Sequence, residues 1–213
     1  MRACSSDHFE AALGAHHRVD FPALPGRTNH LPTGVLVPIV WSADPTVIAT
    51  VRAARLREHA SEVCFPGGRP DPEDLDLRAT ALREAREELG LEGARVIGEL
   101  SSVPLYTSDY RLHPFVAVVP EQALRVSEAE VAEVLRFSLR QELERESIES
   151  IAWSAGHLHG LSPLFFAGEH IMYGATAHAF YELLCIAAEV FAMVPPPLRA
   201  GRYDWSDVMR PKG

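Results

Sequence analysis

One stretch limits the folds open to this chain more than any other: "FPGGRPDPEDLDLRATALREAREELGL", Phe65 to Leu91. Two adjacent glycines lead through an acidic, proline-punctuated loop into a helix that carries Glu84, Glu87 and Glu88. Steps of three and four residues return to nearly the same direction on a helix, so the three carboxylates share a face. Like charges at that spacing cost about 0.2–0.5 kcal/mol per pair at an exposed site. Ala81, Leu82, Ala85 and Leu89 make an apolar stripe beside them, so the helix can pack on a sheet and turn its acid face into a cleft. Asp71 is the expected N-cap, with Pro72 at the first helical position, Glu73 and Asp74 in the first turn, and Gly90 as the stop. Two counterweights to the repulsion are open. Arg83 and Arg86 can pair with the acids on a solvated face, or a hard divalent cation can take the carboxylate oxygens. Gly67 and Gly68 favour the second, because a backbone without side chains can approach a ligand beside the acids.

The remaining pattern supplies the sheet. "VLVPIVW" and "TVIATVRAARL" read as strands joined across "SADP" in a hairpin, and "EVCFPGG" ends a third extended piece. "ARVIGELSSVPLY" and "HPFVAVVP" read as further strands, "SEAEVAEVLRFSLRQELERE" as charged strand-helix material and "SPLFFAGEHIMYG" as a late strand. Ala175 to Val194 is expected to close the domain as a helix. Interleaved strands and helices predict an α/β fold, with a mixed sheet between helices. An amphipathic helix and a Pro/Gly-rich lead-in are expected over residues 1–31, and a Pro-rich tail, an extended arm or a disordered end, over 195–213.

A formal charge of −9 excludes the broad basic surface that grips nucleic acid, so a phosphate ligand must be met by local cations, backbone N–H groups or a metal. Cys4, Cys64 and Cys185 are odd in number and lack C-x-x-C spacing, which reads as reduced thiols in a cytoplasmic setting. The first twenty residues lack the apolar core of a secretory signal. His178, Glu182 and Glu189 interrupt the most apolar stretch, so no membrane partner is expected. The expected partners are a small-molecule substrate and, at most, a second copy in a homodimer.

Gly68, Arg83, Glu84, Glu87, Glu88, Gly90 and Leu91 resemble the Nudix box, G-x5-E-x7-R-E-U-x-E-E-x-G-U, where U is aliphatic. Three features depart from it. The spacing from Gly68 to Arg83 is one residue longer, Asp74 stands where the early Glu is expected, and Ala85 fills the aliphatic slot. The resemblance implies a Nudix-type α/β/α sandwich over residues 32–194. It implies that Glu84, Glu87 and Glu88, with the Gly67 carbonyl, hold Mg²⁺ or Mn²⁺, and that Arg83 orients those carboxylates. Asp74 is expected to support the loop through shorter hydrogen bonds, with the insertion absorbed between Asp74 and Ala79.

Just upstream, "IATVRAARLREHASEVCFPGG" is similar to the signature of the coenzyme A diphosphatases of that family, L-L-T-x-R-[SA]-x3-R-x3-G-x3-F-P-G-G. Thr50, Arg52, Ala53, Arg57 and Phe65-Pro66-Gly67-Gly68 match; Ile48 and Ala49 replace the leucines, and Ser61 replaces a glycine. The resemblance implies hydrolysis of the diphosphate of coenzyme A or an acyl-CoA, with Arg52, Arg57, Phe65, Gly67 and Gly68 binding substrate and Arg55 as a further cation. Two other readings stay open: another nucleoside diphosphate derivative, such as ADP-ribose or a dinucleotide, and a non-catalytic nucleotide-sensing domain. "MYGATA" resembles the family's late "IWG-x-TA". Glu121 and Glu169 are candidates for a general base outside the box, while Tyr106, Tyr110 and Phe115 can stack on adenine or fill the core. His157, His159, His170 and His178 are read as loop or packing residues. The chain ends "PKG", so no peroxisomal address is expected.

Overall fold

In the computed structural model, residues 5–56, 58–155 and 158–209 are described. Helix α1 (Ser6–Ala15) leads to strands β1 (Leu31–Val40), β2 (Thr46–Arg52), β3 (Val63–Cys64) and β4 (Gly67–Gly68), then helix α2 (Leu77–Leu89). Strands β5 (Arg95–Glu99), β6 (Val103–Pro104), β7 (Tyr110–Val119) and β8 (Val131–Ser138) follow, then α3 (Leu139–Leu143), β9 (Ile148–Ala155), β10 (Leu158–Pro163), β11 (Phe165–Ala167) and β12 (His170–Met172). Helix α4 (Gly174–Phe191), β13 (Leu198–Ala200) and α5 (Trp205–Val208) end the described chain.

The central strand is β1, apolar along most of its length because both of its faces are covered. It pairs in parallel with β7 from Leu31↔Tyr110 to Val40↔Val119 and antiparallel with β2 at Ile39↔Val47, so the sheet is mixed. The order β3-β2-β1-β7-β5 forms the main path, with β8 on β2, β4 on β1 and β6 on β7. Alternation along β1 divides its side chains between two cores. Val35, Val37 and Ile39 meet Phe9 and Leu13 of α1 and Phe180, Leu183 and Leu184 of α4. Leu36 and Val40 meet Ala81, Ala85 and Leu89 of α2. The sheet therefore lies between helices, as expected. Glu182, which breaks the apolar run of α4, accepts hydrogen bonds from the Ser101 backbone N–H (3.1 Å) and hydroxyl (2.8 Å) and lies 2.7 Å from His16 Nε2. Among the described residues no helix is long and apolar enough to cross a membrane.

Helix α2 can lie this close to the sheet because Gly34 has no side chain. A Cβ there would stand 2.1 Å from the Leu77 carbonyl oxygen and 3.2 Å from the Ala81 nitrogen, both backbone atoms that cannot rotate away. Gly34→Ala is expected to cost about 1–3 kcal/mol through overpacking. A urea midpoint equal to wild type would contradict this account of the helix–sheet contact.

Several sequence expectations are corrected. Helix α2 starts at Leu77, with Asp76 as N-cap accepting from the Ala79 N–H at 2.7 Å, not at Pro72 behind Asp71. Residues 71–74 form a turn instead, because the Asp74 carboxylate is drawn to Arg83 and Thr80 and so stays outside the helix. Gly90 is the stop, at φ +63°. The late strand is a hairpin, β11–β12, which Gly168 turns at φ +60°. "ARVIGELSSVPLY" divides into β5 and β6. Through residue 209 the C-terminal segment is built into the fold: β13 runs parallel to β9, and Val208 of α5 is buried with Ile151 and Leu164.

Candidate active site

The pairing of β4 with β1 at Gly34↔Gly68 and Val35↔Gly67 holds the two glycines beside the acid face of α2. A Cβ on Gly68 would lie 2.2 Å from Glu84 Oε1, so the bare backbone is what leaves room for that carboxylate. Gly67 N–H donates to Glu88 Oε1 at 3.4 Å. The other oxygen, Glu88 Oε2, is buried with no hydrogen-bond partner. Glu88 is 3% exposed, and burial pushes its carboxyl up to about 8, offset in part by the Gly67 N–H and Arg52. Burial also raises the carboxyl of Glu84, against the pull of Arg83.

Arg83 organises the cluster. Its Nη1 donates to Glu84 Oε1 and Glu87 Oε2, both at 3.0 Å, and its Nη2 to the Arg69 carbonyl and Asp74 Oδ2, also at 3.0 Å. Nε completes a fork on Asp74 at 3.2 Å. Asp74 accepts from the Asp71 N–H and the Thr80 hydroxyl as well, each at 2.9 Å, and Arg83 holds its carboxyl down at about 2. The shorter acid thus ties the acidic loop to the helix. Glu87 is 55% exposed at the rim. Among the described residues no three of His, Cys, Asp and Glu converge closely enough to hold a metal ion.

A cleft of about 240 Å³ is lined by Arg52, Phe65, Gly67, Gly68, Tyr106 and Trp205, among others. Arg52 stands beside Cys64 and Glu88, and its Nε is buried without a partner. Phe65 is buried against Phe180 (ring centroids 6.5 Å apart) and forms part of the floor. Arg57 lies outside the described residues, as does His157. Arg55 is turned away: its guanidinium donates to the backbone carbonyls of Glu128 and Ala129. Ser61, which stands where the signature has glycine, takes a left-handed φ of +62°, a conformation that favours glycine. Burial lifts the Cys64 thiol to about 11, and the residue forms part of the cleft wall.

The base candidates Glu121 and Glu169 do not line this cleft. Glu121 pairs with Arg136 at 3.2 Å, and Glu169 borders a separate hollow with Ser61, His170 and Tyr173. Phe115 is buried in the α2-side core, whereas Tyr106 and Tyr110 face the cleft. His170 pairs with Glu133 at 2.9 Å. Burial lowers the pKa of His178 to about 4. Sequence reasoning missed three residues. Glu130, just before β8, repels Glu84 and Glu88 and helps to raise both their pKa values. Arg69 lines the cleft with its guanidinium 5.9 Å from the centre of the Tyr110 ring, and Trp205 reaches the cleft from the C-terminal segment. Arg69 directly follows the glycine pair, a position that could have marked it; Glu130 is one of several acids in its stretch, and nothing local distinguishes it.

The family profile described as "NUDIX domain" matches residues 30–155, more than half of the chain, including all of the acid helix and the glycine pair. The chain belongs to the Nudix family. An uncharacterized Nudix hydrolase, NudL, from Photorhabdus laumondii is 36% identical over 160 residues, covering 73% of this chain and 84% of that protein. The NudL of Citrobacter koseri is 41% identical over 126 residues, covering 57% and 65%. Among solved structures, a MutT/nudix family protein from Enterococcus faecalis superposes with a TM-score of 0.49 at 16% identity, covering 89% of this chain and 76% of that one. Nudix hydrolases act on pyrophosphate bonds and generally use divalent ions such as Mg²⁺ or Mn²⁺. The matched segment ends within β9, so α4 and the C-terminal segment with Trp205 lie beyond it.

Proposed function

We propose that this Nudix hydrolase cleaves the diphosphate of coenzyme A or an acyl-CoA in the cytoplasm, releasing 4′-phosphopantetheine or its acyl form and adenosine 3′,5′-bisphosphate. The observation that carries the substrate assignment is Arg52, in the upstream signature, with its buried and unpartnered Nε beside Glu88 in the cleft. Coenzyme A bears a phosphate beyond its diphosphate, and a guanidinium with a free donor matches phosphate oxygens. Arg57 is assigned to the same task from its place in the signature.

The donor set has the chemistry that a hard divalent cation takes, although the three glutamates do not converge in this structure. Glu88 Oε2 is an orphaned buried acceptor, and Gly68, having no side chain, lets the Glu84 carboxylate lie against the glycine backbone. Glu84, Glu87 and Glu88, with the Gly67 carbonyl, would hold Mg²⁺ or Mn²⁺ through oxygen donors. When bound, such an ion neutralises diphosphate charge and lowers the pKa of water. Arg83 keeps Glu84 and Glu87 in register on the helix. Glu130, whose charge is felt by both Glu84 and Glu88, joins Glu121 and Glu169 as a candidate to accept the proton of the attacking water while the anhydride P–O bond breaks.

Gly68→Ala should displace Glu84 alone, because the clash is with the end of a flexible side chain. Mg²⁺-dependent turnover is expected to fall about 10–100-fold, with the melting temperature held; full activity would contradict the role assigned to the position of Glu84. The substrate is tested with coenzyme A, acetyl-CoA, ADP-ribose and a diadenosine polyphosphate, each with Mg²⁺ and with products resolved by mass. Preference for coenzyme A is expected. Preference for ADP-ribose overturns the substrate, and a wild type inert toward all of them favours a nucleotide-sensing domain.

A further inference from the structure

The C-terminal segment has a place in the cleft that the Nudix box does not account for. It is held on both sides of its turn: β13 pairs in parallel with β9, the Gly201 N–H donates to the Ser150 carbonyl at 2.9 Å, and the Arg202 N–H donates to Glu149 Oε1 at 3.1 Å. Asp204 caps α5 by accepting from the Ser206 N–H, and Val208 anchors the helix in its own small core. This fixed frame brings the half-buried Trp205 against Tyr106, with ring centroids 4.9 Å apart and planes inclined at 43°. Both rings line the same cleft as Arg52, Gly67 and Gly68. Arg69, over Tyr110, adds a cation to the aromatic lining.

We infer that Trp205, with Tyr106, forms a stacking wall for the planar base of the nucleotide substrate, and that the C-terminal segment is therefore a specificity element of the cleft. An amphipathic aromatic wall suits a ring that must be held without charge, while the glycine turn and Arg52 meet phosphate in the same space. Nucleobase–aromatic stacking tolerates any base with a π-face, so the wall selects a nucleotide over a ligand without a ring. The inference deepens the proposed function and rests on it only for the identity of the whole substrate.

The test needs neither metal nor turnover. The chain has three tryptophans, and Trp41 packs on Phe9 while Trp153 lies on β9. Adenosine 5′-monophosphate, without divalent ion, is expected to quench tryptophan emission in the wild type, and ribose 5-phosphate is not. In Trp205→Phe the quench should disappear while the calorimetric Kd for adenosine 5′-monophosphate holds, since phenylalanine still stacks. In Trp205→Ala and in Tyr106→Ala that Kd should rise about tenfold, with melting temperatures measured alongside to confirm that each variant is folded. An unchanged Kd in folded Trp205→Ala, or an equal quench by ribose 5-phosphate, overturns the inference. Either result leaves the diphosphate chemistry untouched, and an enzyme inert toward coenzyme A leaves the nucleotide titration fully readable.

Discussion

Glu88→Gln is expected to lower turnover about 10³-fold while the protein remains folded and continues to bind its ligand. The size follows from removing one of the few charged donors to a site in which charge stabilisation is the main contribution to rate. The retained fold follows from the surroundings of the side chain. Glu88 is 3% exposed, its Oε1 accepts only from the Gly67 N–H, and Oε2 has no partner. An amide of the same shape keeps the first contact and avoids burying a charge. The same variant should lose the rise in melting temperature that added Mg²⁺ gives the wild type, since only a folded state that binds the ion gains from it. Turnover within tenfold of wild type, or an undiminished Mg²⁺ shift, would remove Glu88 from the machinery.

Arg83→Ala should be the most destabilising change in the acid helix. Its guanidinium meets Asp74, Glu84, Glu87 and the Arg69 carbonyl at once, so truncation leaves several acceptors without a donor. The Asp74 and Glu84 side chains are only 7% and 16% exposed, and water cannot readily replace the lost partner. The cluster is only partly buried, with Arg83 22% exposed, so the loss is smaller than for a fully buried ion pair but exceeds that of a surface pair. For a chain of this size the expected fall in melting temperature is roughly 5 °C. Arg83→Lys should fall between the two, because one ammonium cannot span a fork on Asp74 and two glutamates. A melting point for Arg83→Ala within 2 °C of wild type would show that the acids do not depend on it.

Much of this site is legible in the chain because it is local. Glycine pair, acidic loop, arginine and glutamates lie within about twenty-five residues, and helical periodicity places the carboxylates on one face. The sheet that carries them is legible for a similar reason: β1 and β2 close a short hairpin, and their apolar runs announce strands buried on both faces. The start of α2 was misplaced because Asp71-Pro72 carries a complete local signal for a helix start, and only the tertiary attraction of Asp74 to Arg83 overrides it. Tyr106 and Trp205 are brought to the cleft by segments distant in sequence, and Glu130 comes near the acid helix in the same way. No spacing rule connects them. The same holds for the β11–β12 hairpin, where Gly168-Glu169 turns a run that reads as continuous.

The parallel pairing of β1 with β7 also governs when the molecule can take shape. Partners such as Leu31 and Tyr110 are separated by roughly eighty residues, and closing that separation is entropically slow. During synthesis at about 5–20 residues per second, the hairpin of β1 and β2 waits several seconds with one bare edge before its neighbour leaves the ribosome. An exposed apolar edge of that kind recruits other nascent chains. Yield in cells should therefore respond to elongation speed between codons 40 and 119 and to holdase chaperones, even in variants whose finished stability is unchanged.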